Sequence, residues 1–134
     1  MNIGDTVQVR QVDGVDHWVF AKVQDPATNR LVIAHSGNRD DGRTIIADPS
    51  DIRTKADVQQ ILTNAQAIVA LADPRRGLSE AQIRQLAALD GFWASFLPPA
   101  DGRLTEHQSR HLSSQQITLH QRVVKHYQEQ LKKL

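Results

Sequence analysis

Two of the six histidines have the spacing of a metal-binding pair, and a few acidic residues could transfer a proton. His107 and His111 are four residues apart, so on a helix both imidazoles would face one side, as in many zinc sites. No Glu stands between them as a general base, and the chain has no cysteine that could add a thiolate. We therefore predict no metal site and no cofactor.

Recognisable catalytic motifs are also missing from the sequence. It contains no nucleophile elbow, zinc-protease motif, phosphate-binding loop or dinucleotide-binding glycine pattern. Asp40 and Asp41 stand in a Gly-containing turn, and Asp16 and His17, as neighbours on a strand, would point to opposite faces. We predict no catalytic residues, and an enzyme with a site assembled from distant residues is the third hypothesis.

Aromatic side chains in the segment HWVFAKV, residues 17–23, suggest binding instead. On a strand, Trp18 and Phe20 would share one face, and the small apolar residues between them would form the other. Such a pair could stack on a base, a peptide or a methylated cation. Because residues 31–33 and 45–46 are also apolar on both faces, we expect the helices to bury this face instead.

The first half of the chain has the pattern of short β-strands. Residues 6–12, 17–23, 30–35 and 43–48 are apolar runs, several of which alternate with polar residues, and turn sequences such as Asp13-Gly14, DPATN and SGNRDDG separate them. Strands joined by hairpin turns at this spacing predict a small antiparallel barrel.

These runs resemble the SH3-like barrel group, and most of all its Tudor and KOW-type members, over residues 3–53. The shared features are the opening Gly-Asp with a Val-x-Val strand, Trp-x-x-Ala-x-Val, and a closing Asp-Ile-Arg. Where the Tudor pattern has Tyr-Gly-Asn, this chain has Ser36-Gly37-Asn38, so one aromatic of a methyl-cation cage is missing. The resemblance implies ligand contacts at the strand-connecting loops, with candidates His17, Trp18, His35, Asn38 and Arg39.

From residue 54 onward the apolar residues follow a helical period. Thr54 with Asp57 and Ser79 with Gln82 have the spacing of capping boxes at helix starts. We predict an α+β protein, with a barrel over 1–53 and a helical region over 54–134. Its three helices, at about 55–72, 79–97 and 105–133, would pack on the barrel.

The C-terminal helix offers two further candidate surfaces. Residues 1–54 carry six Lys/Arg and eight Asp/Glu, whereas residues 55–134 carry ten and seven, so the helical half is modestly cationic. The candidate nucleic-acid contacts are Arg122, Lys125, Lys132 and Lys133. The candidate oligomer seam, with steps of three, four and seven residues, is Ile117, Val124, Tyr127 and Leu131.

These patterns favour a small binding or adaptor protein whose partner is nucleic acid. The alternative is a protein-interaction or oligomerisation module that acts through the C-terminal helix. The N-terminal segment has no signal-peptide character, and the longest apolar run, at 67–72, is too short to span a bilayer. With no cysteine in the chain, we expect a cytoplasmic protein without membrane contact.

Overall fold

The computed structural model describes residues 1–12, 16–33, 43–75, 77–97 and 122–134. It contains two compact units, one formed by Met1–Gln59 with Glu129–Leu134 and one drawn from Gln60–Gln128. We call them the barrel unit and the helical unit and describe each by itself. The fold class is α+β, as predicted, with an antiparallel sheet followed by helices.

Five strands form the sheet of the barrel unit. They are β1 (Thr6–Val12), β2 (Asp16–Asp25), β3 (Arg30–Ile33), β4 (Thr44–Ile46) and β5 (Ile52–Arg53). All pairs are antiparallel, and the order across the sheet is β4-β3-β2-β1-β5. A 3₁₀ helix, Pro49–Asp51, precedes β5.

Strand β2 is the longest strand and is shared by two neighbours. Its first part pairs with β1, from Thr6 opposite Lys22 to Val12 opposite Asp16, and its second part pairs with β3. The buried core lies on one face of the strands, where side chains of alternate residues meet. It consists of Val7, Val9, Ala21, Val23, Leu31 and Ile33.

Side-chain hydrogen bonds stabilise the described turns of the barrel unit. Asn29 has a positive φ of 55° in the turn between β2 and β3, where Asp25 accepts hydrogen bonds from the amide of Ala27 and the hydroxyl of Thr28. The Asp13-Gly14 turn and the whole SGNRDDG turn, residues 36–42, lie outside the described residues. Before β5, Asp48 caps the 3₁₀ helix and accepts bonds from the amide and hydroxyl of Ser50.

Two helices begin at the predicted caps, and the predicted start of the third, near residue 105, lies outside the described residues. Helix α1 spans Lys55–Ala70 after a box in which the amide of Thr54 donates to Asp57 at 2.9 Å. Helix α2 spans Glu80–Leu89 after the reciprocal bonds of Ser79 and Gln82. A third helix, α3, is described over residues 122–132.

The predicted second helix, 79–97, is wrong in its second half. The chain leaves the α conformation at Asp90 (φ −152°, ψ 120°) and continues as a 3₁₀ helix, Gly91–Phe96. The Asp90 carboxylate accepts a hydrogen bond from the amide of Phe92 at 3.1 Å and so caps this new helix. The apolar period continues through the break, which is why periodicity alone did not locate it.

A buried hydrogen-bond chain links Asp90 to α3 inside the helical unit. The indole of Trp93 donates to the Tyr127 hydroxyl at 2.7 Å, and that hydroxyl donates to Asp90 at 3.2 Å. Trp93 and Tyr127 are each 1% exposed. On the surface beside this chain, Phe92 stacks on His126 with ring centroids 4.2 Å apart.

Removing the Tyr127 hydroxyl should therefore destabilise the fold. Tyr127→Phe keeps the ring but leaves the buried Trp93 donor and the Asp90 acceptor each without this partner, at a cost of roughly 1–3 kcal/mol. Urea unfolding of wild type and variant measures the difference. Equal free energies of unfolding would mean that the hydroxyl has no structural role.

The cap at Asp48 predicts a pH dependence. Hydrogen bonds from the backbone and side chain of Ser50 lower the pKa of this exposed carboxyl below its usual value. The stabilisation is therefore complete above the unfolded-state pKa and is lost as the pH falls through the lower folded-state pKa. Asp48→Asn does not titrate, so wild type should lose stability relative to this variant as the pH falls below the unfolded-state pKa of about 3.9. A constant difference in urea midpoints over that range would contradict the assignment.

Candidate functional site

The face of the sheet opposite the core carries the candidate site. Within each strand, alternate side chains share a face, and the pairing of β1 with β2 and β5 brings their outward side chains together there. We call this surface the outer face; it consists of Gln8, Arg10, Trp18, Phe20, Lys22 and Arg53. The strand register places Arg10 opposite Trp18, and it places Gln8 between Phe20 on β2 and Arg53 on β5.

Two guanidinium groups flank the indole ring of Trp18. The Cζ of Arg53 lies 3.8 Å from the ring centroid, and the Cζ of Arg10 lies 5.8 Å from it. Both distances are within the range of cation–π attraction. Arg10 is also held by Asp51, because its Nε and Nη2 donate to one oxygen of that carboxylate at 3.0 and 2.7 Å. The result is an aromatic ring close to two guanidinium groups, one of which is paired with a carboxylate.

The C-terminal segment Glu129–Leu134, which belongs to the same unit, reaches the outer face at Phe20. The ammonium of Lys133 lies 5.3 Å from the Phe20 ring centroid. Next to it, Gln8 is only 3% exposed, and its amide donates a hydrogen bond to the side chain of Gln130. This bond supplies a partner to a polar group that would otherwise be buried without one.

The outer face is therefore covered in part, so the expected burial is met at Gln8 but not at Lys22, which is exposed. Trp18 and Phe20 are half-buried, and Ile46, on β4, is 68% exposed. The two rings are only half-buried because charged side chains, and not an apolar layer, cover them. The guanidinium of Arg53 and the ammonium of Lys133 lie over the rings, and Lys133 itself is exposed to water.

Positive charge dominates the described side chains around the two rings. Arg10, Lys22, Arg53 and Lys133 are basic, and Lys132 beside them is exposed. The acidic groups are Asp51, paired with Arg10, and Glu129, one helical turn before Lys133. The arrangement suits a ligand that offers both negative charge and a flat ring.

The candidate loop residues are described only in part. His17 is exposed and stands next to Trp18 at the start of the site. His35, Asn38 and Arg39 lie outside the described residues, so their role as ligand contacts stays a prediction.

The predicted basic helix residues divide between the two units. Lys132 and Lys133 are exposed in the barrel unit, and Lys133 contacts Phe20. Arg122, half-buried, and Lys125, exposed, belong to the helical unit.

The predicted oligomer seam has a similar division. Tyr127 lies in the interior of the helical unit, and Val124 and Leu131 are partly exposed. Ile117 lies outside the described residues.

The reasoning from sequence missed Gln8, Arg10, Arg53 and Gln130. The alternation of β1 carried a signal for the first two, because Gln8 and Arg10 fall on the same face as Trp18 once β1 and β2 are paired. No sequence pattern indicated the contact of Gln130 with Gln8, because 122 positions separate the two residues.

Metal sites, membrane spans and similarity to known proteins bear on function as well. The described residues hold no group of three metal-binding side chains, and no helix among them has the length and apolar character needed to cross a membrane. No protein-family model, curated protein or solved structure matches this chain. Function must therefore be argued from the outer face itself.

The contact between Arg53 and Trp18 should be measurable as a coupling energy. A double-mutant cycle with Arg53→Met and Trp18→Leu should give about 0.5–1 kcal/mol of favourable coupling, the range for an exposed cation–π pair. The matched cycle with Arg30→Met, an exposed cation on β3, should give none. Additive effects in both cycles would show that the contact between Arg53 and Trp18 does not contribute to the free energy of unfolding.

Proposed function

We propose that this protein binds nucleic acid through the outer face, with basic side chains at phosphates and aromatic rings at bases. The observation that carries the proposal is the pairing of each ring with its own cation. Trp18 has Arg53 at 3.8 Å, and Phe20 has Lys133 at 5.3 Å. Nucleic acids present a phosphate and a π face in every nucleotide, so one such pair suits one nucleotide.

Peptides and methylated cations would interact favourably with only one of the two kinds of group on this surface, the cations or the rings. An acidic peptide would need the cations but would leave the rings without a partner. An apolar peptide would need the rings but would have to desolvate the guanidinium groups of Arg10 and Arg53, which is costly. A methylated cation would be repelled by the same two groups. Nucleic acid is the class for which charge and ring both contribute.

The proposed role is that of a small cytoplasmic binding or adaptor protein. The cytoplasmic part of this proposal is supported by the absence of cysteine from the sequence. Lys132, next to Lys133, would extend the phosphate contacts along the C-terminal segment. Arg122, Lys125 and the loop residues remain additional candidates for contacts.

Self-association through the C-terminal helix is the alternative proposal. Tyr127 is 1% exposed and occupied by hydrogen bonds to Trp93 and Asp90, which leaves Val124 and Leu131 as the described apolar side chains of that seam. Two partly exposed side chains offer little of the roughly 800 Å² that each partner of a stable interface buries. The outer face therefore carries the proposal.

Charge removal on the outer face tests the proposal. Wild type should bind a fluorescein-labelled single-stranded oligonucleotide at about 50 mM salt and lose affinity steeply towards about 200 mM, because counterions are released on binding. Lys22→Gln/Lys133→Gln should weaken binding. The variant should also reduce the slope of log K against log salt by roughly 0.7 for each phosphate that the protein no longer neutralises.

The control variant is Arg43→Gln/Arg84→Gln. It also removes two positive charges, but from exposed residues that do not belong to the outer face. It should keep the wild-type slope in fluorescence anisotropy titrations. Equal slopes for both variants would place the binding elsewhere on the molecule, and no binding at low salt would end the nucleic-acid proposal.

A further inference from the structure

We infer that the ligand of the outer face is a single strand, and that two successive bases stack on it, one at Trp18 and one at Phe20. This inference rests on the proposed function and names the form of nucleic acid. It follows from the separation of the two rings, from the groups that cover them, and from what a duplex can present.

The separation of the rings comes from the strand geometry. Trp18 and Phe20 stand two residues apart on β2, on the same face, so their Cα atoms are roughly 6.8 Å apart. Bases within one strand of a duplex rise by only about 3.4 Å per step. Bases stacked at these two strand positions would have to stand further apart than the bases of a duplex, and a single strand allows this.

The groups around each ring form two similar subsites. At Trp18, the Arg53 guanidinium lies against the ring at 3.8 Å, and both an indole and a guanidinium plane are surfaces on which bases stack. At Phe20, the ring is half-buried and the ammonium of Lys133 lies over it, 5.3 Å from the ring centroid. Lys22, two residues further along β2 and exposed, continues the line of positive charge.

A duplex cannot use these subsites. Its bases are stacked on each other, so they offer edges in the grooves and no faces to a protein ring. A duplex would meet only the charges of the outer face, and its binding would then not depend on Trp18 or Phe20. Dependence on the rings is therefore the property that separates the two forms.

The experiment compares oligo(dT) of about a dozen nucleotides with the same strand annealed to oligo(dA), by anisotropy at low and near-physiological salt. Wild type should prefer the single strand. Trp18→Leu should lose about 5- to 150-fold in affinity for oligo(dT), the range for one stacked base, and should bind the duplex as wild type does. Trp18→Phe should retain most of the single-strand affinity, because it keeps a ring.

Phe20→Leu provides a second, independent variant if Trp18→Leu fails to fold. It should lower oligo(dT) affinity within the same range, and circular dichroism should confirm its fold. Wild-type tryptophan emission should also fall on binding oligo(dT), because a base stacks at the half-buried Trp18.

The outcomes separate this inference from the proposed function. Duplex binding equal to single-strand binding, with no effect of Trp18→Leu or Phe20→Leu, would overturn the stacking inference and leave an electrostatic nucleic-acid site. No binding of either probe at low salt would instead overturn the proposed function itself.

Discussion

Strand β2 carries small apolar residues on one face and two aromatic residues on the other, and the packing of the barrel unit depends on which face is buried. Its small apolar residues, Ala21 and Val23, are fully buried in the core. Because neighbouring side chains on a strand point to opposite faces, burying these residues forces Trp18 and Phe20 outward. Moving the register by one residue would place both rings in a core already filled by valines, leucine and isoleucine. Two large rings on the outside are thus a consequence of the core.

The protein covers those rings with charged and polar side chains instead of a second apolar layer. Arg53 reaches across β1 to Trp18, Arg10 is fixed by Asp51, and the C-terminal segment brings Lys133 to Phe20. Each contact protects part of a ring from water and keeps a positive charge at the surface. Structure and proposed function therefore use the same groups: the cations that stabilise the outer face are those that would meet phosphates.

Local patterns predicted those parts of the fold that depend on local interactions. The strand alternation anticipated the sheet, and the spacing of Thr54 with Asp57 and of Ser79 with Gln82 marked two helix starts. The break at Asp90 was missed because a side-chain cap competes with helix propagation without disturbing the apolar period. Of the residues at the outer face, the sequence indicated Trp18, Phe20 and Lys133, with His17 and Lys132 next to them. The other contacts of the outer face join residues distant in sequence, and such pairings depend on tertiary packing rather than on any short pattern.

The most direct test of the outer-face account follows the two indole N–H signals of Trp18 and Trp93 in a ¹⁵N correlation spectrum during addition of oligo(dT). Trp18 lies on the proposed surface, and Trp93 is 1% exposed and donates its proton to Tyr127. The account predicts that the Trp18 signal shifts progressively and saturates while the Trp93 signal stays in place. A shift of Trp93 alone, or binding by anisotropy with an unmoved Trp18 signal, would contradict it.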